Sequence, residues 1–500
     1  MSNGWIQISK LLAKGLAKQQ ASRFFFWMPS PPNILWICTD QQRFETLRSF
    51  GNPHAQTPHL DRLVAEGTSF SNAFCQSPVC APSRASFLTG RYPRTTRCRQ
   101  NGQSIPPDEL LVSTMFKRAK YRCGLAGKLH LASCSDGKLE KRTNDGYDDF
   151  SWSHHPQPDW EENAYTQWLR DHGQDWHDLQ GEEISPFVKE GPPAEFHQTT
   201  WCAERTIDFI REKKEGPWFF SFNCFDPHHP FDPPTDYLSR FRVEDMPLPS
   251  THPDEEGTKT SFQKKDRIWA HDNPGEFHTR EMTDLDRKQV CAAYLAMVAL
   301  IDDQVGRILK VLEETGQAED TLVVFMSDHG EMLGDHGIYF KGPHFYDCQL
   351  RVPLVMRWPA GGIVPNRRIE GLVELIDLAP TFLDAAELAI PQRVQGSSIL
   401  PMLRGGKESE GCRQQVYAEY YNSWTHGDAY GTMLRTQKEK IVVYHGTKQG
   451  EFYDLESDPK EFFNLWNVPA MEKRKNEMLA RCFDASVFTM DPHPPRLGPF

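Results

Sequence analysis

Two hydrophobic runs that end in acidic residues constrain this chain most. Asn33-Ile34-Leu35-Trp36-Ile37-Cys38 runs into Thr39-Asp40, and Thr321-Leu322-Val323-Val324-Phe325-Met326 runs into Ser327-Asp328-His329. Both are continuously apolar rather than alternating, which suits strands covered on both faces in a parallel sheet. Between them lie another strand-like run, Trp218-Phe219-Phe220-Ser221-Phe222-Asn223, and a helical pattern over 287–315 with apolar residues at Val290, Tyr294, Met297, Ile301, Val305 and Ile308. This alternation predicts an α/β fold: a large doubly wound, mixed but mainly parallel sheet flanked by helices. Ligands of such sheets gather at the carboxyl ends of strands. Asp40, Asp328 and His329 all fall there.

The rest of the chain is organised around that core. Residues 145–200 are rich in Trp, His and Asp (Trp152, His154, His155, Trp160, Trp168, Trp176) and poor in aliphatics, as in a long insertion of the kind that carries specificity. After Pro391, short strand-like runs at 416–420, 431–435 and 440–444 precede a helical pattern near 470–482. A smaller C-terminal domain of antiparallel sheet plus helix is expected there. The division predicted is a leader over 1–32, an α/β domain over 33–390 that carries these strand-end residues, and an α+β domain over 391–500.

Composition excludes some partners. Lys+Arg number 56 against 68 Asp+Glu, a net charge of −12, so no basic face for nucleic acid is expected. No apolar run approaches the roughly 20 residues of a bilayer helix, so no membrane partner is expected either. The twelve cysteines form no CxxC pair, which removes zinc-ribbon and thioredoxin-like motifs. Residues 1–32 lack the apolar core and cleavage site of a signal peptide, so a cytoplasmic location is expected, or a periplasmic one if the start is misassigned.

The segment Cys80-Ala81-Pro82-Ser83-Arg84-Ala85-Ser86-Phe87-Leu88-Thr89-Gly90-Arg91 carries the sharpest chemical signal. Pro82 suits the first position of a helix and Gly90 its left-handed stop. Cys80 then sits at the positive end of a short helix, where anions bind and a nucleophile is favoured. Spacing alone favours inert packing for this cysteine.

Cys80-x-Pro82-Ser83-Arg84 followed by Leu88-Thr89-Gly90-Arg91 resembles the signature of the sulfatase family, within the alkaline-phosphatase-like superfamily. Further landmarks match in the family's order: Thr57-Pro58-His59-Leu60-Asp61, Gly127-Lys128-Leu129-His130, Pro227-His228-His229-Pro230, Ser327-Asp328-His329-Gly330-Glu331, Lys341-Gly342 and Arg351-Val352-Pro353. The resemblance covers Asn33 to Trp466. It implies that a maturation enzyme oxidises Cys80 to formylglycine, whose hydrated aldehyde is the nucleophile. It also implies that Arg84 orients that group, Lys128 and Lys341 bind sulfate, His130 deprotonates the second hydroxyl of the diol, and His228 protonates the leaving oxygen, with His229 the alternative.

The same resemblance implies a divalent cation held by Asp40, Gln41, Asp328, His329 and the modified Cys80. Many sulfatases carry a second Asp where Gln41 stands and an Asn where His329 stands. One fewer carboxylate and one added imidazole make the site softer. Calcium is the expected ion, with manganese or magnesium as alternatives. The expected substrate is a sulfate monoester of an aryl, carbohydrate or small alcohol. Gln41 and His329 also resemble phosphonate monoester hydrolases, the alternative activity with the same nucleophile, while Lys128-x-His130 favours the sulfate. Trp424 and His426 are candidate substrate contacts; Trp152, Trp160 and Trp168 could stack on a ring, but packing of the insertion onto the body is the favoured reading for large aromatics.

Overall fold

The strand Asn33–Thr39 sends alternate side chains into two separate cores. Ile34, Trp36 and Cys38 join a cluster with Phe87, Leu88 and Phe382, whereas Leu35 and Ile37 join one with Trp201, Ile207, Ile301 and Ile308. The strand Thr321–Ser327 does the same, with Leu322, Val324 and Met326 on the first side and Val323 and Phe325 on the second. Each large apolar side chain so buried is worth about 1.5–3 kcal/mol. That is the physical reason both runs are apolar without interruption.

A computed structural model describes residues 31–134, 138–156, 162–272 (267–272 by backbone only), 277–279, 281–423, 428–492 and 498. In chain order its strands are β1 (Asn33–Thr39), β2 (Thr68–Phe74), β3 (Arg122–Gly127), β4 (Asp149–Trp152), β5 (Glu183–Ser185), β6 (Val188–Lys189) and β7 (Trp218–Asn223). They continue with β8 (Thr321–Ser327), β9 (Arg351–Val352), β10 (Leu354–Arg357), β11 (Arg367–Glu374), β12 (Val416–Tyr421), β13 (Tyr430–Arg435), β14 (Glu439–Tyr444) and β15 (Gly450–Asp454).

The main sheet runs in the order β11-β2-β10-β8-β1-β7-β3-β4, with β9 paired to β2. β8, β1, β7, β3 and β4 are parallel, while β10 lies antiparallel between β8 and β2. The helix Asp284–Glu314, capped by Thr283 and Asp286, and the helix Gln198–Arg211 cover one face. Cys80–Thr89 and Leu378–Ala385 cover the other. The sheet is therefore mixed, mainly parallel and covered on both faces, as expected.

Register brings the functional residues together. Thr39 pairs with Ser327, Cys38 with Asn223, and Asn223 with Gly127. The carboxyl ends of four neighbouring strands (β8, β1, β7, β3) thus lie level, and the next residues along each chain segment are Asp328-His329, Asp40-Gln41, Cys224 onward to His228, and Lys128.

The stretch 145–200 begins inside the sheet, because β4 pairs with β3. It then leaves through the helix Ala164–Asp171 and the ribbon β5–β6. Near the C-terminus, β12-β13-β14-β15 form an antiparallel sheet with the helix Glu472–Phe488 packed on one face through Met478 and Cys482. The opposite face, through Val416, Met433 and Val442, belongs to the same apolar cluster as Phe345 and Phe74. Among the described residues no helix is long and apolar enough to cross a membrane.

Candidate active site

The helix Cys80–Thr89 starts at Cys80 itself, with Val79 before it in extended conformation. Pro82 is therefore the third helical residue, not the first as its preference for that position suggested; the N–H it lacks is still one of the first-turn groups without an intrahelical acceptor. Gly90 ends the helix at φ +68°, where an added Cβ would lie 2.9 Å from Val394. The cysteine is buried, at 1% exposure.

Cys80 stands at the centre of a charged cluster. Its Sγ accepts from Lys341 Nζ at 2.9 Å and lies 3.1 Å from His329 Nε2 and 3.6 Å from Asp40 Oδ1. Lys341 Nζ also reaches His228 Nε2 at 2.8 Å. Arg84, one turn along the helix, donates through Nε to Asp328 at 2.9 Å and through a terminal nitrogen to the Lys128 carbonyl at 2.9 Å. Lys128 is ion-paired with Asp40. Ser83 Oγ donates to the Asp328 carbonyl at 2.6 Å, which fastens the helix to the end of β8.

The electrostatics follow from burial competing with these partners. Burial raises the Cys80 thiol and so does Asp40, but Lys128, Lys341 and His329 outweigh them and bring it down to about 5. Burial also opposes ionisation of Asp40, yet Lys128, His228, Lys341 and Arg84 hold it well below the usual carboxylate range. Burial and the neighbouring Asp40 push Asp328 up. For His228, burial and then Lys341 hold the imidazole well below its ordinary value. The same holds for His130, through burial, Lys128 and Arg84.

Asp40, Cys80, Asp328 and His329 offer donor atoms that all lie within 4.8 Å of one another. The residues fit a divalent cation, on an observation beyond that grouping. Gln41, in a left-handed conformation at φ +66°, is completely buried; its amide nitrogen is bonded to Glu331, which leaves its Oε1 without a partner among the described residues. Two carboxylates, an imidazole and an orphaned amide oxygen form a hard, oxygen-rich donor set.

Of the residues singled out from sequence, Cys80, Arg84, Lys128, Lys341, His228, Asp40, Gln41, Asp328 and His329 meet around this cluster. His130 sits beside it at φ +59° with Nδ1 unpartnered among the described residues. His229 stacks on His228, with centroids 4.1 Å apart, and packs on Phe340 at 4.0 Å. Trp152 is buried at the end of β4, and Trp168 stacks on Tyr165. Trp160, Trp424 and His426 lie outside the described residues.

Three further residues belong to the site's surroundings. Glu331 orients Gln41 from within the Ser327–Glu331 motif. His154 meets the His130 ring edge-on at 4.4 Å, and His155 packs on Phe225, over which Lys128 also lies. The histidine-rich composition of 145–200 was the available signal for the last two, but no spacing tied them to His130.

The chain as a whole resembles known proteins. The chain is 30% identical to an arylsulfatase of Clostridium perfringens over 466 residues, covering 89% of this chain and 92% of that one. It is also 30% identical to the multifunctional alkaline phosphatase superfamily protein PehA of Trinickia caryophylli over 480 residues, covering 88% and 92%. The solved phosphonate monoester hydrolase of Agrobacterium radiobacter superposes with a TM-score of 0.79 at 26% identity, covering 92% of this chain and 96% of that one. The family description "N-sulphoglucosamine sulphohydrolase, C-terminal" matches residues 334–486, and "Sulfatase" matches residues 32–388. A match across that span, which takes in the strand-end residues and the Cys80 helix, shows that the chain belongs to the sulfatase family.

Proposed function

We propose that the protein hydrolyses a sulfate monoester, of an aryl, carbohydrate or small alcohol, through an aldehyde formed from Cys80. One observation carries this proposal. A buried cysteine at a helix start is surrounded by Lys341, His329 and Asp40 within 3.6 Å, with Arg84 and Lys128 behind them. That is a cationic pocket shaped around a nucleophile, and it suits an anionic ester.

The steps follow from the chain's own residues. A maturation enzyme oxidises Cys80 to formylglycine, and the hydrated aldehyde offers two hydroxyls. One gives its proton to Asp40, whose carboxylate borders residue 80, and attacks sulfur while the ester S–O bond breaks; the departing oxygen takes a proton from His228, leaving a sulfated enzyme. The remaining hydroxyl then gives its proton to His130, the C=O bond re-forms, and the C–O bond to sulfate breaks. Lys128, Lys341 and Arg84 hold the peripheral oxygens and need no rearrangement at the moment of reaction. The free site keeps His228 neutral; negative charge bound next to Lys341 favours its protonated form, so acid function is coupled to substrate binding.

Asp40, Gln41, Asp328 and His329 would hold the divalent cation, calcium first and manganese or magnesium next, and it would supply Lewis-acid polarisation of a sulfate oxygen. A second reading has a specific observation in its favour. Gln41 and His329, together with the likeness to a phosphonate monoester hydrolase, suit a phosphonate monoester or phosphodiester with the same nucleophile. Parallel rates on an aryl sulfate and an aryl phenylphosphonate test the two. The sulfate should have the higher kcat/KM; faster phosphonate turnover would overturn the first reading.

A further inference from the structure

Glu140 occupies a position that the catalytic steps above do not use. It is 1% exposed, and its carboxylate accepts three N–H groups. Oε2 takes the backbone N–H of His130 at 2.8 Å and the indole N–H of Trp152 at 3.0 Å, and Oε1 takes the backbone N–H of Leu131 at 2.6 Å. The first and third hold the turn after β3 just where His130 takes its left-handed conformation at φ +59°. Such a conformation is disfavoured for a non-glycine residue and persists only where its surroundings over-determine it. The second bond reaches the last residue of β4, two residues before His154, whose ring meets that of His130 at 4.4 Å.

We propose that Glu140 is a positioning residue for His130, clamping the turn that carries it to the start of the 145–200 segment so that His130 and His154 are placed as one unit. This proposal rests on the role given to His130 above, the removal of a proton in the second step. Both oxygens of Glu140 face donors only, so a glutamine there turns its NH₂ group toward an N–H. Burial favours the protonated carboxyl, and hydrogen bonds from N–H groups, those of Leu131, Trp152 and His130 foremost, work against that. Charge on Glu140 is not what the clamp requires; two acceptor oxygens are.

The test is pre-steady-state and steady-state hydrolysis of an aryl sulfate by Glu140→Gln, His130→Ala and the double variant, with folding checked by thermal melting. Glu140→Gln should lower kcat by about tenfold to a hundredfold with little change in the first-step rate. The aryl alcohol should then appear as a burst, stoichiometric with enzyme, before a slow steady state. The double variant should be no slower than His130→Ala, because Glu140 acts through His130. Trp152→Phe, which removes a single bond from the clamp, should show the same defect several-fold weaker, and it carries the test if Glu140→Gln does not fold. Wild-type kcat in the folded clamp variants, a loss confined to KM, or a loss that multiplies with that of His130→Ala would each overturn the proposal. If His130→Ala itself turns over normally, the role of His130 fails first, and a clamp defect persisting in that background makes Glu140 purely structural.

Discussion

Lys341 Nζ lies 2.8 Å from His228 Nε2 while also reaching Cys80 Sγ at 2.9 Å. One ammonium therefore touches both the proposed nucleophile position and the proposed acid. Replacing Lys341 with Ala should lower kcat/KM for a sulfate ester by about 10²–10³-fold, the range for losing one preorganised charge-stabilising donor. A second readout concerns the imidazole. Burial and Lys341 are the leading causes of its depressed pKa, so Lys341→Ala should move the His228 titration upward when followed by NMR. An unmoved titration would contradict the contact.

The cation site has a readout independent of activity. Asp40 and Asp328 are both fully buried, and each disfavours ionisation of the other. A divalent ion binding only the folded state should therefore raise Tm, by about 2.7 kcal/mol of stability at a hundred times its Kd. Thermal melts of chelated protein with calcium, manganese or magnesium added back would rank the ions. A Tm indifferent to all three would remove the metal from the site.

A pH-dependent stability term is expected from Asp232. Burial pushes its carboxyl up to about 8 from an ordinary 3.8, with Lys189 only partly opposing. The native state thus binds this proton more tightly than the unfolded chain does. Its contribution is fully present below the unfolded value and is lost as pH rises toward 8. Asp232→Asn cannot ionise, so its Tm relative to the parent should climb steadily with pH across that window. A difference constant with pH would contradict the assignment.

The C-terminal sheet is tied to the catalytic core by a buried ion pair. Lys440 on β14 is completely buried and donates to Asp347 at 2.6 Å and to the Phe345 carbonyl at 2.8 Å. Arg435 on β13 pairs with the same Asp347 at 3.0 Å. Lys440 is also ion-paired with the buried Glu461, so Lys440→Ala leaves two largely buried carboxylates each short of one partner and should destabilise by about 3–5 kcal/mol. Urea unfolding gives this directly; a loss under 1 kcal/mol would contradict a stabilising role for the Lys440 pairs.

Much of the fold was legible because its strongest signal is local. Continuous apolar runs such as Ile34–Cys38 and Leu322–Met326 specify a sheet buried on both faces, and an acid at each end marks the ligand side. The Cys80 helix and the helix ending at Glu314 were equally plain from capping and spacing. β15 was not, since Gly450-Glu451-Phe452-Tyr453-Asp454 places a buried glutamate inside the strand, bonded to Tyr444 and Tyr453. In the site, residues adjacent to strand ends could be named from their motifs. Glu140 and His154 could not, because their contacts with His130 are made by a backbone turn and by a ring from another segment, neither of which leaves a spacing in the sequence.

The most direct measurement joins the state of residue 80 to turnover. Preparations made with varying maturation would be analysed by mass spectrometry of the Cys80 peptide, and each assayed on an aryl sulfate with the divalent ion in excess. Turnover should rise in proportion to the fraction carrying aldehyde and extrapolate to zero at none, with Cys80→Ala folded and inactive. Equal turnover in a preparation that retains only the thiol would contradict the proposed chemistry outright.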